Sequence, residues 1–256
     1  MQVIIHTLGR ATWAQQPTLH QLLADGICPT LVVQAHEADK YSWYEGEVHV
    51  LPDSIRTLAP TRDYIIHDME GPDKVVFMDD DLHFACRRND DPSKFRKPEK
   101  GDLSRMIDTI SRGLDVCPHV GIGAREGGNR VTEEYVWNTR VMRVLAYSRK
   151  YLKKRSLYFS PLVVMEDFHM NLQILRSGAD SMLCNKWVSN QANGSDAPGG
   201  CATYRSDKVQ TDSANLLATR HPGFVKVVQK TTKGAWGGGT RTDVVVQWKA
   251  ARKSAS

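Results

Sequence analysis

The stretch VVFMDDD, residues 75–81, is an apolar run that ends abruptly in three aspartates. An uninterrupted apolar run of this length is typical of a strand that is buried on both faces, as in the parallel sheet of an α/β protein. Ligands of open α/β sheets bind at the carboxyl ends of the strands. The stretch therefore predicts that Asp79, Asp80 and Asp81 lie at a sheet edge where a ligand binds.

Segments on both sides of this stretch alternate between strand and helix patterns. Short apolar runs predict strands at residues 3–5, 31–33, 48–51, 120–123 and 157–165. Apolar residues at helical spacing predict helices at residues 18–23, 103–114 and 168–175. We therefore expect an α/β protein with a Rossmann-like, mostly parallel central sheet flanked by helices.

The composition is that of an ordinary globular protein. Of the 256 residues, 41% are hydrophobic and 25% are charged, which excludes disordered and fibrous classes. A chain of this length can bury its core as a single domain. No apolar run approaches the roughly 18 residues needed to cross a bilayer, so no membrane partner is expected. The five cysteines form no CxxC pair, which favours a reducing compartment and a cytoplasmic protein.

Changes in composition along the chain predict its domain boundary and its loops. We expect residues 1–225 to form the domain, and residues 226–256 to form a basic, glycine-containing C-terminal extension that is partly flexible. The glycine-rich segments at residues 190–200 and 234–239 are expected to be lids or disordered loops.

The three aspartates satisfy the DxD pattern, in which Asp79 and Asp81 point to the same side at the end of a strand. Carboxylate oxygens are the ligands that Mg²⁺ and Mn²⁺ prefer, and three adjacent carboxylates repel one another unless a cation lies between them. The alternative interpretation is an exposed acidic turn. The apolar strand that leads into the triplet favours the metal site.

A second acidic pair, Glu166 and Asp167, precedes the predicted helix at residues 168–175. A carboxylate at this position can serve as a general base. Alternatively, Asp167 only caps the helix, which would contribute about 1 kcal/mol of stability. A transferase needs both a metal site and a separate base, so the combination with the triplet favours catalysis.

A basic segment, residues 140–155, carries seven cations and no acid, and it includes Tyr147 and Tyr151, with Trp137 just before it. Phosphate contacts combined with aromatic stacking are typical of nucleic-acid binding. The alternative is a solvated helix face, since most charge runs are exposed. The net charge of +5 does not decide between the two.

Several motifs, in this order, resemble the common core of GT-A glycosyltransferases. They are the DxD triplet, the glycines Gly121 and Gly123, the element Met165-Glu166-Asp167 and the late His221. Longer phrases are similar to the TET-associated glycosyltransferases of bacteriophages, which are understood to add sugars to 5-hydroxymethylpyrimidines in DNA. These phrases are GRATWAQQPTL (9–19), LPDSIRTLAPTRDYI (51–65), FMDDDLHF (77–84), VGIGAREGGNR (120–130) and VVMEDFHMNLQILRSG (163–178). The resemblance covers residues 5–178 and is weaker beyond them.

This resemblance implies a division of roles in the acidic elements. Asp79, Asp81 and His221 would be ligands of Mn²⁺ or Mg²⁺, while Asp79 and Asp80 would also contact the donor nucleotide. Asp167 would be the catalytic base, with Glu166 beside it. A lone histidine before a proline can also be a surface or core residue.

The resemblance also implies binding sites for the donor and for DNA. The donor would be a nucleotide-sugar, such as UDP-glucose or UDP-GlcNAc, and Gly121 and Gly123 would let the sugar or the acceptor approach the backbone; their alternative is a β-bulge. Donor-binding residues would be Thr7, Gly9, Arg10, Glu37 and Arg62, although Arg10 could be solvated and Arg62 could form a simple ion pair. DNA-binding residues would be Arg125, Arg140, Arg143, Arg149, Lys150, Lys153 and Lys154.

The implied function is metal-dependent transfer of a sugar to the hydroxymethyl group of 5-hydroxymethylcytosine or 5-hydroxymethyluracil in DNA. A single displacement with one catalytic base implies inversion at the anomeric carbon of the sugar. If the chain is encoded by a phage, its location is the cytoplasm of the bacterial host. The alternatives are the same fold with a saccharide, protein or lipid acceptor, a nucleotidyltransferase, and a DNA-binding module with a degenerate site.

Overall fold

The computed structural model describes residues 1–191, 199–232 and 239–255. Most of the two glycine-rich segments expected to be lids, residues 190–200 and 234–239, therefore lies outside the described residues. The described residues form one large mixed sheet, a separate two-stranded sheet and the helices that pack on them.

The large sheet has ten strands in the described part of the chain. They are β1 (Gln2–His6), β2 (Thr30–Val33), β3 (Val48–Val50), β4 (Lys74–Asp79), β5 (Leu82–Arg87), β6 (Phe95–Arg96), β7 (His119–Ala124), β8 (Tyr135–Trp137), β9 (Val144–Ser148) and β10 (Ser181–Gln191). Their spatial order is β3-β2-β1-β4-β9-β7-β10-β5-β6, with β8 paired to β10 beside this path. Strands β5, β8 and β9 run against the others, so the sheet is mixed but mostly parallel, which confirms the predicted fold class.

Helices cover both faces of this sheet. They are α1 (Pro17–Ala24), α2 (Leu58–His67), α3 (Asp102–Gly113), α4 (Arg149–Lys154), α5 (Glu166–Arg176), α6 (Asp207–Arg220) and α7 (Trp248–Lys253). The smaller sheet is an antiparallel ribbon of β11 (Val225–Thr232) and β12 (Gly239–Val246).

Strand β4 has an uninterrupted apolar run because both of its faces are covered. Val76 and Met78 pack into one core with α1 and α3, whereas Val75 and Phe77 pack into another with α2, α4 and α5. All four side chains are fully buried, and burying each such side chain contributes about 1.5–3 kcal/mol. The packing therefore fixes β4 in the middle of the sheet and brings the aspartate triplet to its carboxyl edge.

One predicted strand is wrong, and one strand was not predicted. Residues 157–165 form no strand, because Pro161 cannot donate a backbone hydrogen bond to a sheet, and buried Phe159 and Leu162 fill the core from a loop. The strand is instead β9, which lies antiparallel between β4 and β7. It falls inside the basic segment that we interpreted as a possible helix face.

A third apolar cluster joins the end of the chain to α5 and α6. Val244 of β12 and Ala251 of α7 are buried together with Leu172 and Leu175 of α5 and Leu217 of α6. The described part of residues 226–256 thus packs against the rest of the molecule. Among the described helices, none is both long enough and apolar enough to cross a membrane.

Candidate active site

A cavity of about 320 Å³ opens at the carboxyl edge of β1 and β4. The triplet Asp79, Asp80 and Asp81 lines it from the end of β4, and Glu166 and Asp167 line it from the start of α5. The fold thus brings the two acidic elements of the sequence into one site, although Glu166 begins a helix and does not end a strand.

Asp79 is held by two basic side chains. Its Oδ1 lies 3.4 Å from Nε2 of His6, its neighbour in the β1–β4 register, and 3.6 Å from Nη2 of Arg62. Burial raises the pKa of Asp79, but His6, Arg62 and Arg143 together outweigh it, so the pKa lies below its usual value. Asp79 is therefore an anion whose side chain stays 25% exposed in the cavity.

Asp80 is held by two residues that follow β1. Its carboxylate accepts hydrogen bonds from Thr7 Oγ1 at 2.6 Å and from Nη1 of Arg10. Burial raises the pKa of Asp80 to about 6, against the opposing effects of Arg10 and Thr7. Only 4% of this side chain is exposed, so Asp80 fixes the loop that begins with Thr7, and its predicted contact with the donor stays a prediction.

Asp81 contacts Arg10 and the end of β10. Its Oδ2 lies 3.1 Å from Nη1 of Arg10, and its Oδ1 accepts a hydrogen bond of 3.0 Å from Nε2 of Gln191, at the end of β10. Burial, followed by the charge of Asp79, raises the pKa of Asp81 although Arg10 and Gln191 oppose the rise. All three aspartates line the cavity, but Asp79 and Asp81 have the more exposed carboxylates, at 25% and 14% against 4% for Asp80.

Arg62 links the two acidic elements from inside the protein. Its Nη1 donates to Oε1 of Glu166 at 2.7 Å, and Nη2 lies near Asp79. The side chain is 2% exposed, with its guanidinium 5.8 Å from the ring centroids of both Phe77 and Phe159. Arg62 thus forms the internal ion pair of the alternative interpretation, and because it also lines the cavity its contact with a donor phosphate stays a prediction.

Glu166 and Asp167 differ in what surrounds their carboxylates. Burial raises the pKa of Glu166 despite the opposing charge of Arg62. Asp167 is half-buried and faces the cavity, and among the described residues its carboxylate has no hydrogen-bond or ion-pair partner. It does not cap the helix, because the N-cap position is Met165. Asp167 is thus the acid of the pair that is available to take a proton.

The residues present fit a cation that is completed by substrate. Among the described residues, no group of three or more His, Cys, Asp or Glu side chains could hold a metal ion. Mg²⁺, however, is usually bound by one or two carboxylates together with substrate phosphates and water. Asp79 and Asp81 supply hard oxygen donors in the cavity, and a cation at Asp81 would share its carboxylate with Arg10.

The structure does not place His221 with the triplet. Its Nε2 contacts Nδ1 of His169 at 2.7 Å, and its Nδ1 accepts from Nη1 of Arg176 at 3.1 Å. Both ring nitrogens are thus engaged at the end of α6, and the ring is 2% exposed. The prediction of a third metal ligand at His221 is wrong, and the core interpretation of this histidine holds.

Two predicted donor-binding residues form an internal contact. The backbone N–H of Gly9 donates to both carboxylate oxygens of Glu37, at 2.9 Å each. Gly9 has φ = 70°, which explains the glycine, and Glu37 is buried. Neither residue is among the described residues that line the cavity, whereas Thr7 and Arg10 are.

The two glycines of β7 also serve packing. A Cβ at Gly121 would lie 2.1 Å from Cγ1 of Val141, and one at Gly123 would lie 2.8 Å from Oδ1 of Asn185. Close approach of side chains from within the protein explains both glycines. The expected approach of sugar or acceptor to this backbone is therefore corrected.

Strand β9 divides the predicted DNA-binding segment into two surfaces. Arg140 and Arg143 precede β9 and line the cavity. Helix α4 follows β9 at the opposite end, because Ser148 pairs with Lys74 at the start of β4. At about 3.3 Å per residue, the length of β4 separates α4 from the triplet by about 16 Å.

The structure thus places the predicted DNA-binding residues of α4 away from the cavity. Lys150, Lys153 and Lys154 are exposed but lie at the amino edge of β4. Arg149 is buried, and its Nη2 donates to Oε1 of Gln2 at 2.7 Å. The predicted DNA-binding residue Arg125 is exposed and follows β7 at the carboxyl edge, so it stays a prediction.

The aromatic residues of the basic segment and the preceding Trp137 differ in exposure. Tyr147 is fully buried and stacks on His119, with ring centroids 4.3 Å apart. The hydroxyl of Tyr151 lies 2.7 Å from Oγ of Ser177. Trp137 on β8 is 40% exposed.

The cavity also has residues that no sequence motif indicated. His6 is one, although its position at the end of a predicted strand is a usable signal. Several more come from the last quarter of the chain and are far from the motifs in sequence, among them Cys201, Tyr204, Arg205, Gln210, Arg241 and Asp243. Only the basic composition of the C-terminal region indicated that it might have a function.

Comparison with known sequences identifies a family. The family model described as TET-Associated Glycosyltransferase matches residues 1–200 of the chain. This range includes both acidic elements and excludes α6, the β11–β12 ribbon and α7. No curated protein matches the chain.

Comparison with solved structures identifies the fold. The mannosyltransferase PcManGT from Pyrobaculum calidifontis, in complex with GDP-Man and Mn²⁺, is 16% identical with a TM-score of 0.52, and the match covers 85% of this chain and 61% of that one. GalNAc-T7 with UDP, GalNAc and Mn²⁺ is 11% identical with a TM-score of 0.51, and the match covers 85% of this chain and 48% of that one. The chain thus spans 61% and 48% of the lengths of these two proteins. They share with it the GT-A fold expected from the sequence.

Proposed function

Because the chain belongs to the TET-associated glycosyltransferases, we propose that it transfers a sugar from a nucleotide-sugar to the hydroxymethyl group of a 5-hydroxymethylpyrimidine in DNA. The proposed acceptor nucleobase is 5-hydroxymethylcytosine or 5-hydroxymethyluracil, and the proposed donor is a UDP-sugar such as UDP-glucose or UDP-GlcNAc. The observation that carries this proposal is one cavity lined by the aspartate triplet and by the Glu166-Asp167 pair.

Asp167 is the proposed general base. Its carboxylate faces the cavity and has no hydrogen-bond or ion-pair partner among the described residues. It takes the hydroxymethyl proton as the hydroxymethyl oxygen forms a bond to the anomeric carbon of the sugar. The bond from that carbon to the diphosphate breaks, and its electron pair leaves with the nucleoside diphosphate. A single displacement of this kind inverts the anomeric carbon.

Arg62 and Glu166 position the catalytic groups. The 2.7 Å contact between Arg62 and Glu166 fixes the first turn of α5, which carries Asp167, and the same guanidinium lies 3.6 Å from Asp79. Holding reacting groups in place can lower a barrier by several kcal/mol. The ion pair thus keeps the proposed base and the donor-binding carboxylate at a fixed separation.

Asp79 and Asp81 are the proposed ligands of Mn²⁺ or Mg²⁺. A divalent cation there would neutralise charge on the departing diphosphate. PcManGT and GalNAc-T7 were both solved with Mn²⁺ and a nucleotide or nucleotide-sugar, which supports this choice. We expect Asp81 to hold the cation most directly and Asp79 also to face the donor.

DNA as the acceptor is supported by the charge of the cavity wall. Arg140 and Arg143 face the cavity, with Arg140 stacked 4.3 Å from the ring centroid of Phe168. Arg143 forms a two-pronged pair with Glu126, at 2.8 and 3.0 Å. Glu126 balances the charge of Arg143, so it is the exposed Arg140 that favours a polyanionic acceptor over a neutral saccharide.

The proposal is tested by product analysis. The protein is incubated with Mn²⁺, a panel of UDP- and GDP-sugars and duplexes that carry cytosine, 5-hydroxymethylcytosine or 5-hydroxymethyluracil. The DNA is then digested and the nucleosides are weighed. We expect a sugar adduct on a hydroxymethylated nucleoside only, with free nucleoside diphosphate as the second product.

Three further measurements separate the alternative functions. Release of pyrophosphate would identify a nucleotidyltransferase. Transfer to a saccharide or protein but to no DNA would reassign the acceptor. For DNA, apparent affinity should fall steeply with salt, whereas a neutral acceptor would show little dependence on salt.

A further inference from the structure

Part of the cavity wall comes from chain that lies outside the family match. Residues 1–200 match the family model, yet Arg241 and Asp243 of β12 and Gln210 of α6 also line the cavity. The acidic elements are thus shared with the family, and the C-terminal elements complete the wall around them.

The β11–β12 ribbon has one face that is packed against the protein. Thr242 accepts hydrogen bonds from Gln210, at 3.1 Å to its carbonyl oxygen, and from Thr211, at 2.8 Å to its hydroxyl. Val244 is buried in the cluster with α5 and α6. These contacts fix the ribbon on the body of the molecule.

The other face of the ribbon carries charge. Alternation along the strands places Arg241 and Asp243 on the face opposite Thr242 and Val244. In the register, Lys230 is opposite Arg241, and Lys226 lies two pairs beyond Asp243. Asp243 is shared by Lys230, at 3.1 Å, and by Arg241, at 3.5 Å. Lys226 and Lys230 are exposed on this outer face, and Asp243 pairs with Lys230, so the two lysines make the face basic.

Resting on the proposed function, we propose that the outer face of the β11–β12 ribbon is the docking surface for the backbone of duplex DNA. A two-stranded ribbon fits the major groove of B-DNA, where the 5-substituent of a paired pyrimidine also lies. Arg241 lies both on this face and in the cavity wall. A duplex bound to the ribbon therefore lies next to the cavity that contains the catalytic carboxylates.

The spacing of the lysines suits this role. Lys226 and Lys230 are four residues apart on one strand, which corresponds to about 13 Å. That span covers about four base-pair steps at about 3.4 Å each. The two ammonium groups can therefore contact separate phosphates of one duplex.

The test compares two double variants of equal charge. One is Lys226→Ala with Lys230→Ala on the ribbon. The matched control is Lys150→Ala with Lys153→Ala on α4, which removes two exposed lysines at the far end of the sheet. Binding of a labelled duplex that contains 5-hydroxymethylcytosine is measured by fluorescence anisotropy at several salt concentrations, and thermal melting of each protein checks its folding.

We expect the ribbon variant to bind about tenfold more weakly at low salt, and its slope of log affinity against log salt to be about two smaller in magnitude. The α4 variant should bind as the wild type does. Equal binding by wild type and ribbon variant, or an equal loss in both variants, would overturn the docking surface while wild-type sugar transfer to DNA still stood. Absence of transfer to any DNA by the wild type would instead overturn the proposed function.

Discussion

At the scale of single residues, Arg62 is the side chain that joins the two acidic elements. Its guanidinium is buried between Glu166 and Asp79, with Phe77 and Phe159 at its faces. A buried charge is stable only while its partners remain. The arginine therefore depends on both carboxylates, and they depend on it.

Replacing Arg62 should consequently destabilise the fold. We expect Arg62→Ala to lower the free energy of unfolding by about 3–5 kcal/mol, because it leaves Glu166 buried without its partner. The control is Arg56→Ala, an arginine that is 55% exposed beside Asp53, for which we expect a change within about 0.5 kcal/mol. Urea unfolding measures both, and equal midpoints for the two variants would contradict the assigned role of Arg62.

Asp81 should control the dependence of donor binding on metal. We expect Asp81→Asn to weaken UDP binding in Mn²⁺ at least tenfold and to abolish the difference between Mn²⁺ and EDTA, because the most direct protein ligand is lost. Isothermal titration calorimetry of UDP measures this, with Asp53→Asn at an exposed position as the control. Full Mn²⁺ stimulation in Asp81→Asn would show that the cation is held elsewhere.

The sequence indicated the chemical roles of these residues better than it indicated which residues they contact. A buried strand that ends in three acids is a local pattern, and Asp79, Asp81 and Asp167 lie in one cavity as the motifs suggested. The partner of Arg62, by contrast, is 104 positions away in sequence. Such contacts depend on tertiary packing, and no local pattern encodes them.

At the scale of elements, α5 and α6 are joined by a pair of buried histidines. Arg176 donates to Nδ1 of His221, so His221 carries its proton on Nε2 and donates it to Nδ1 of His169. Burial, followed by neighbouring positive charge, lowers the pKa of His221 to about 3 and that of His169 to about 4. Both rings are therefore neutral when the protein is folded at neutral pH.

This pair should make the fold sensitive to acid. Below about pH 6.5 the histidines of the unfolded chain bind protons, whereas those of the folded protein stay neutral. The free energy of unfolding should therefore fall as the pH decreases from about 6.5 to 4. We expect His221→Gln to flatten this dependence, since one of the two neutral rings is removed. Urea midpoints at pH 7 and pH 5 measure it, with His36→Gln at an exposed position as the control. An unchanged pH dependence in His221→Gln would refute this account of the pair.

The elements that were predicted correctly are those with strong local periodicity. Helices α1 and α3 lie within a residue of the predicted bounds, and strand β4 follows its apolar run. Strand β9 was missed because basic residues flank it on both sides, although the strand itself is apolar and buried. Residues 157–165 were wrongly predicted as a strand because burial of a loop produces the same apolar pattern.

At the scale of the whole molecule, the C-terminal region is part of the body that holds the cavity. Val244 and Ala251 share a buried cluster with Leu172, Leu175 and Leu217. Arg241 and Asp243 line the cavity itself. The expected boundary at residue 225 would cut through this cluster.

Truncation tests that boundary. We expect a chain that ends at residue 225 to lose several kcal/mol of stability, because each fully buried apolar side chain contributes about 1.5–3 kcal/mol, and to aggregate through the exposed face of α5. Size-exclusion chromatography and thermal melting measure this. If residues 1–225 form a monomer with the same melting temperature as the full chain, they are an independent N-terminal domain.

The central claim is that the cavity transfers a sugar to hydroxymethylated DNA with Asp167 as the base. The most direct measurement is the rate at which a 5-hydroxymethylcytosine duplex gains sugar with wild type, Asp167→Asn and Asp207→Asn. Asp207 is a matched control, since it is also an acid in the first turn of a helix but is exposed. We predict that Asp167→Asn is slower by about 10²–10⁴-fold and that Asp207→Asn is unchanged. Transfer by Asp167→Asn at the wild-type rate would contradict the claim.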